Sequence, residues 1–348
     1  MKMEKAKLSD IAKLAGVSKA AAGKVLNGGR TQIRVSEETR QRILAAAKQL
    51  HYQPNMAASI LAGGQSRIIG VMIDSRAADS QYRILAEIEN EAGKHGYRLL
   101  IAQAHDDPEK ILNSYHSLKQ NGVDGIISFA HDYSHLNCHL DTQLKDDPKI
   151  VYVGSSTEQQ VSSVDSDIPA GMTAAVEHLR DEGYHKPALI LNLRTYALSG
   201  EKRAESFTAC CPAGMILKLD ADETDVADME EQCSRLIREE LIPGHFDAAI
   251  ALNDYFAATM MKLLPDRGIR IPDDFGLIGW DNLMLGEFLP VKLTSVGSDK
   301  KDFAVAVLKN LLNKIKGNPM PEKIMIPMKL IIRESSIKHN SKTKRKSK

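Results

Sequence analysis

The sequence is poor in what secreted, membrane-spanning or metal-dependent proteins carry. Only four cysteines, Cys138, Cys210, Cys211 and Cys233, occur among 348 residues. Their spacing fits no metal-ligand pattern, and the adjacent Cys210 and Cys211 make a poor disulfide pair, so reduced thiols in a cytoplasmic protein are expected. No apolar run reaches the roughly 18 residues needed to span a membrane. The basic N-terminus has no apolar core or small-residue cleavage site behind it, so no secretory signal is expected. Catalytic signatures are missing as well: there is no Walker loop, no G-x-G-x-x-G after the first strand candidate, no H-E-x-x-H and no G-x-S-x-G. His131, His135 and His139 recur every four residues beside Cys138, yet they lie in a polar stretch, HDYSHLNCHL, after a strand candidate. Exposure fits that stretch better than metal binding, and neither a metal nor a cofactor is expected.

What is present is an uneven charge distribution. The whole chain carries only +1, but residues 1–66 hold eleven Lys/Arg against four Asp/Glu, a net +7. Residues 337–348 (IKHNSKTKRKSK) add six Lys/Arg and no acid, which leaves net −12 on the remainder. A basic head on an acidic body suits a nucleic-acid-binding element attached to a body that binds something else. At this length two or three domains are expected.

The head opens with KLSDIAKLAGVSKAAAGKVLNGG, residues 7–29. Ser9 can cap a first helix with apolar positions Ile11, Ala12, Leu14 and Ala15, and Asp10 suits its first turn. Gly16 ends it, Val17 plugs the angle, and Ser18 caps a second helix that buries Ala21, Ala22, Val25 and Leu26. Two short helices about a glycine turn are a helix-turn-helix, whose second helix places its N-terminal residues in the major groove. Its outward face reads Lys19, Ala20, Gly23 and Lys24. Ser36 caps a third helix with Ile43, Leu44, Ala47 and Leu50 at helical spacing. Pro54 breaks that helix, and Asn55 can cap a short one, Met56 to Leu61, that Gly63-Gly64 ends. That piece is too short to stand alone and folds only when supported.

Beyond residue 66, short apolar strand candidates alternate with amphipathic stretches. The strands are 68–73, 97–102, 125–129, 150–154, 187–193, 248–251 and 275–280; the helical stretches include 80–95, 108–121, 169–183, 225–241 and 253–265. Such alternation means parallel sheets, and so many strands divide better into two lobes than into one sheet.

These features resemble the LacI family of bacterial transcriptional regulators. The resemblance is carried in the head by Asp10-Ile11-Ala12, Ala15-Gly16-Val17-Ser18, Val25-Leu26-Asn27, Val35-Ser36 with Thr39-Arg40, Tyr52-x-Pro54-Asn55, Ala57-Ala58, Leu61 and Ile69-Gly70. In the body, Asp167 with Gly171 and His178-Leu179, Gly183-Tyr184, Arg203 with Ser206-Phe207, Asn253-Asp254, Ile278-Gly279-Trp280-Asp281 and Leu293-Thr294-Ser295-Val296 continue it. The longer segment 27–34 resembles the branch that holds fructose- and sucrose-type repressors.

The resemblance implies an all-α helix-turn-helix head (1–53), a hinge helix (54–66) and a two-lobed α/β core similar to periplasmic binding proteins (67–336), followed by a basic disordered tail (337–348). The N-lobe would hold about 67–165 and 295–327, the C-lobe about 166–294 and 328–336, with crossings near 165, 294 and 327. It further implies a repressor that binds a palindromic operator as a homodimer and responds to a sugar or sugar phosphate. Lys19 and Ala20 match base-reading positions, with Lys24 where the family usually has arginine. Ser18, Asn27, Ser36, Thr39 and Asn55 match phosphate contacts. Ala58 belongs to the hinge, and Leu61 matches the leucine that wedges into the minor groove. Ala21-Ala22-Gly23-Lys24 stands where the family has Thr-Val-Ser-Arg, which removes two hydroxyls and bidentate guanine recognition. This bears on the operator sequence, not on DNA binding itself.

In such a core the ligand lies at the C-terminal strand ends, between the lobes. Arg203, Asn253 and Asp281 fall there and suit a polyhydroxylated ligand; Trp280 could stack on a sugar face. Asp74 and Tyr82, with Ser75 and Arg76, would face the crevice from the other lobe. Gly154 stands where some sugar-binding members carry an acid. Two other classes compete: a solute-binding protein without DNA regulation, which the basic head disfavours, and a sugar-metabolising enzyme, which lacks a recognisable acid/base pair.

Overall fold

The computed structural model describes residues 6–27, 34–52, 65–75, 77–104, 108–129, 144, 147–154, 161–194, 198–319, 321 and 323–339. The hinge positions Asn55, Ala58 and Leu61, the histidine stretch 131–139, Arg76 and the basic residues 340–348 lie outside these.

The head has three helices, α1 (Leu8–Ala15), α2 (Lys19–Asn27) and α3 (Glu37–Gln49). Ser9 lies inside α1 rather than capping it; the Asp10 carboxylate accepts the Lys7 backbone N–H at 2.8 Å instead. Gly16 adopts φ +65°, and the Val17 N–H returns to the Ala12 carbonyl, which closes α1 and sets the turn. Ser18 Oγ accepts the Ala21 N–H and Ser36 Oγ the Thr39 N–H, so both capping serines stand as read. The α3 helix stops at Gln49, with His51 in the left-handed region, so Pro54 is not what ends it. Ile11, Ala12, Ala15, Ala22, Ile43 and Ala46 make the small core, while Leu14 and Leu44 face outward.

The body holds two six-stranded sheets. In the first, the chain runs β1 (Ile68–Asp74), α4 (Asp79–Lys94), β2 (Arg98–Ala104), α5 (Pro108–Gln120), β3 (Gly125–Ser128), β4 (Ile150–Val153) and β5 (Ser163–Ser166). The second contains α6 (Ile168–Asp181), β6 (Pro187–Asn192), α7 (Leu198–Cys210), β7 (Met215–Leu219), α8 (Val226–Leu236), β8 (Ala248–Ile250), α9 (Asp254–Leu263), β9 (Gly276–Trp280) and β10 (Thr294–Ser298). Helix α10 (Lys300–Ile315) returns to pack on the first sheet, β11 (Lys323–Ile326) joins it, and β12 (Met328–Ile331) ends on the second. The orders are β11-β5-β4-β3-β1-β2 and β12-β10-β9-β8-β6-β7. Among the described residues all pairings are parallel except β10–β12. Because β10 lies wholly in the second sheet, the middle crossing comes at Asp299, a few residues later than its expected place near 294. Asp167 and Asp299, at the first two crossings, each cap the helix that follows.

Strands β1 and β6 are buried almost throughout, as befits sheets covered by helices on both faces. Among the described residues no helix is long and apolar enough to cross a membrane.

Candidate nucleic-acid interface and effector crevice

At the head, Ser18, Lys19 and Ala20 are exposed at the start of α2, whereas Ala22 behind them is fully buried. A packed back therefore holds a bare front, the arrangement a groove-reading helix needs. Lys24 is half-buried, Asn27 closes α2, and Ser36 and Thr39 sit together at the start of α3, their hydroxyls 2.9 Å apart. Gly23 departs from the expected outward face: a Cβ there would meet Leu8 of α1 at 3.4 Å, an ordinary contact. A methyl group fits this mid-helix position. Gly23→Ala is expected to stabilise the head by about 0.5–1 kcal/mol, read as a higher melting midpoint of its helical signal.

The crevice lies where the C-terminal edges of the two sheets face each other. Two contacts cross it: Tyr255 at the start of α9 donates to Asp79 of α4 at 2.8 Å, and Lys202 of α7 pairs with the buried Asp165 of β5 at 2.8 Å. On the first lobe, Asp74 ends β1 and is buried, and its carbonyl accepts the Tyr82 hydroxyl at 3.0 Å. This bond holds the Tyr82 ring beside the end of β1.

The second lobe presents one continuous polar constellation. Arg203 donates to the Leu252 carbonyl at 2.6 Å, and its guanidinium lies 4.5 Å from the Trp280 ring centroid. Trp280 is only 2% exposed. The expectation that it stacks on a sugar is therefore corrected: the ring lies in the core and the guanidinium covers it. Asn253 is also nearly buried; its oxygen accepts the Tyr255 and Phe256 N–H groups, so it caps α9, while its amide nitrogen donates to Glu223 at 2.9 Å. Asn192, at the end of β6, donates to the other Glu223 oxygen at 3.2 Å. Glu223 is thus held by two amides beside the positions read from sequence. It sits in DADET, residues 220–224, which reads as solvated charge; only the folding together of two separated asparagines reveals it. Leu193, Val226 and Tyr255, all well exposed, lie at neighbouring strand ends or helix starts. Apolar surface beside fixed polar groups is the makeup of a small-molecule site.

Asp281 adopts φ +93°, and its N–H donates to the Val296 carbonyl at 2.7 Å. A non-glycine residue held there is strained, a state that clusters at ligand-binding positions. Beneath it, Asp254 is fully buried, accepting the Ser295 hydroxyl at 2.6 Å and the Leu283 N–H. A Cβ at Gly279 would collide with this carboxylate, which accounts for glycine in Ile278-Gly279-Trp280-Asp281. Burial pushes the Asp254 carboxyl up to about 7, with Asp281 adding to the rise, while Ser295, Leu283 and Arg333 oppose it. Lys300 is also near; burial lowers its ammonium below the usual range, against the attraction of Asp281 and Asp254. Because the folded pKa of Asp254 lies above its unfolded value of 3.8, its stabilising effect is complete below that value and is lost as pH rises through about 7. Between pH 6 and 8 this amounts to about 1 kcal/mol. Asp254→Asn is expected to flatten that part of the stability-versus-pH curve in urea unfolding; an unchanged slope would contradict it.

Among the described residues no group of three or more His, Cys, Asp or Glu is placed to hold a metal.

Comparison with known proteins bears on both ends of the molecule. Residues 7–55 match the model of the lacI family of bacterial regulatory proteins, and residues 176–336 match the periplasmic binding protein-like domain. The head is that of the lacI family. The chain is similar along nearly its whole length to curated repressors. It is 27% identical over 340 residues to the HTH-type transcriptional repressor PurR of Haemophilus influenzae (strain PittEE), covering 95% of this chain and 98% of that one. It is 28% identical over 330 residues to the sucrose operon repressor of Streptococcus mutans, covering 95% and 99%. Its fold matches the lac repressor dimer bound to operator and an anti-inducer, with TM-score 0.79, 22% identity, and coverage of 96% of this chain and 100% of that one. A ribose operon repressor core from Lactobacillus acidophilus matches with TM-score 0.66 and 24% identity, covering 78% of the regulator and 99% of that chain. Both the two-lobed parallel core and the helix-turn-helix head are thus those of this family.

Proposed function

We propose that this regulator represses transcription as a homodimer on a palindromic operator, and that a sugar or sugar phosphate in the crevice controls its affinity for DNA. The observation that carries the DNA half is the exposed Ser18-Lys19-Ala20 edge of α2, backed by a packed face. In this reading Lys19 and Ala20 meet base edges, and Lys24, Ser18, Asn27, Ser36 and Thr39 meet the backbone. Asn55, Ala58 and Leu61 complete the contact from the hinge, with Leu61 as the wedge. The effector half is supported by the run Glu223, Asn253, Arg203 and Asp281 along one sheet edge, with Asp74 and Tyr82 opposite. Carboxylates, amides and a guanidinium in fixed positions suit the hydroxyls of a sugar. The curated sucrose operon repressor and the sugar-named relatives of known structure agree with this class of ligand.

Binding to the duplex upstream of the gene, followed by fluorescence anisotropy, tests the reading. Affinity is expected to fall steeply with salt, because the head carries net +7. Lys19→Ala should cost about 1–3 kcal/mol and relax half-site preference. Leu61→Ala should weaken binding through the operator centre and leave half-site preference intact. Salt-insensitive binding, or none with or without sugars, would refute the proposal; a Lys19→Ala chain indistinguishable from the parent would make α2 a positioning element rather than a reader.

A further inference from the structure

Strands β8, β6 and β7 lie side by side in the second sheet, and their C-terminal ends meet at Glu223. Asn253 follows β8, Asn192 closes β6, and the half-buried Glu223 follows β7. Asn192 is fully buried and Asn253 nearly so. Each gives its amide nitrogen to a different oxygen of Glu223, at 3.2 and 2.9 Å. Their own oxygens are turned to the backbone. Asn192 accepts the Ala221 N–H at 3.0 Å, and Asn253 accepts those of Tyr255 and Phe256. Two buried amides thus fix the plane of one carboxylate, and what this end of the crevice offers a ligand is an acceptor. A carboxylate held in place beforehand takes charge-assisted hydrogen bonds with little ordering cost.

A phosphate group is held by guanidinium or ammonium groups, or by the bare N–H groups of a helix N-terminus. Here the helices that start beside Glu223 are both capped. Asp225 accepts the Ala227 and Asp228 N–H groups of α8, and Asn253 those of α9. The cations that follow β6 are turned to acceptors of the protein itself. Arg194 pairs with Asp220 at 2.7 Å, Lys202 reaches across to Asp165 at 2.8 Å, and Arg203 donates to the Leu252 carbonyl at 2.6 Å. From the facing lobe comes another carboxylate, Asp79, which accepts the Tyr255 hydroxyl and lies 3.9 Å from Arg83. A phosphate dianion at this end would face Glu223 and would have to break one of these pairs. Two hydroxyls would do neither. We infer that the effector is an unphosphorylated sugar, and that two adjacent hydroxyls of it donate to the Glu223 carboxylate. This rests on the sugar reading above and narrows it. Glu223 then sets specificity in two ways: it binds the donor pair, and it repels the phosphate ester of the same sugar.

Calorimetric titration of the full chain tests this with matched probes: ribose, fructose, glucose and sucrose, each beside its terminal phosphate ester, and glucosamine. At least one neutral sugar is expected to bind, with its ester weaker by about tenfold or more. Glu223→Gln keeps the shape of the side chain and removes its charge, and should weaken that sugar by about tenfold or more. Asp220→Asn removes the same charge from the same loop, away from the two amides, and should change the affinity less than about threefold. The comparison of sugar with ester is read on the parent chain, so it stands whether or not a variant folds. An ester that binds as tightly as its sugar overturns the inference, as does unchanged affinity in Glu223→Gln. An equal loss in Asp220→Asn also overturns it, since the general field of the loop would then be the cause. Glucosamine bound more tightly than every neutral sugar would put an ammonium where the hydroxyls are assigned, and overturn it too. Binding of an ester alone refutes this inference and leaves the sugar reading standing; no binding by any probe refutes both.

Discussion

Trp280→Ala is expected to destabilise the second lobe by about 3–5 kcal/mol, the range for removing a large aromatic side chain from a packed core. The ring is 2% exposed at the end of β9 and carries the Arg203 guanidinium on its face at 4.5 Å. Its loss leaves a cavity directly beneath the crevice and removes the support of a proposed ligand contact. Far-UV circular dichroism should show a midpoint lowered on the order of 10 °C for a lobe of this size. Trp280→Phe keeps a ring under the guanidinium and should lose far less. The parent residue is the chain's one tryptophan, so its fluorescence also reports movement of Arg203 when a sugar is added. A loss below about 1 kcal/mol in Trp280→Ala would contradict burial in the core and revive the stacking role that its place at the end of β9 first suggested.

That misplacement shows where sequence reading reaches its limit. The strands with continuous apolar runs, β1, β3, β4, β6, β8 and β9, are legible because both faces of a parallel sheet are buried and no polar alternation interrupts them. β5 (Ser-Val-Asp-Ser) has no such run, and β7 is an edge strand with Lys218 exposed, so neither announces itself. The α2 helix was legible to the residue, apart from Gly23. Backbone spacing places that glycine outward, but it closes against Leu8 of α1, which only the angle between the helices determines.

The crevice divides in the same way. Motif matching singles out Asn253 and Asp281, which follow strand ends in sequence, and Arg203, which stands inside α7. It does not find Glu223, since a carboxylate in a run of acids has no signal until Asn192 and Asn253 close on it. Nor does it separate Asn253 as a helix cap from Asn253 as a ligand group, because an asparagine after a strand suits both roles. Asp254 next to it is a further case. Its neighbours in sequence say nothing of Gly279, Ser295 and Leu283, which bury it and raise its carboxyl to about 7.

On the proposed homodimer reading, Phe288→Glu is expected to convert dimer to monomer and to lower operator affinity by about 10²–10⁴-fold. Met284, 61% exposed, starts the single-turn helix Met284–Glu287 that follows β9, and Phe288, 75% exposed, is the residue just after it. Large apolar side chains left this bare together mark an interaction surface. A twofold interface uses the same patch on both copies, so one glutamate per chain places two charges near the axis, where they repel and lose their water. A dimer presents its second head to the operator at an effective concentration near millimolar, and a monomer forfeits that gain entirely. Being on the surface, the substitution should leave unfolding of the core within about 0.5 kcal/mol of the parent, which separates lost assembly from lost fold. The Glu287–Arg333 pair behind the patch stays intact and keeps the short helix in place. Sedimentation equilibrium gives the mass, and anisotropy on the upstream duplex gives the affinity. A variant that remains dimeric and binds DNA as the parent does would move the interface to another face; a monomer that still binds at full strength would show that one head suffices and remove the case for a palindromic site.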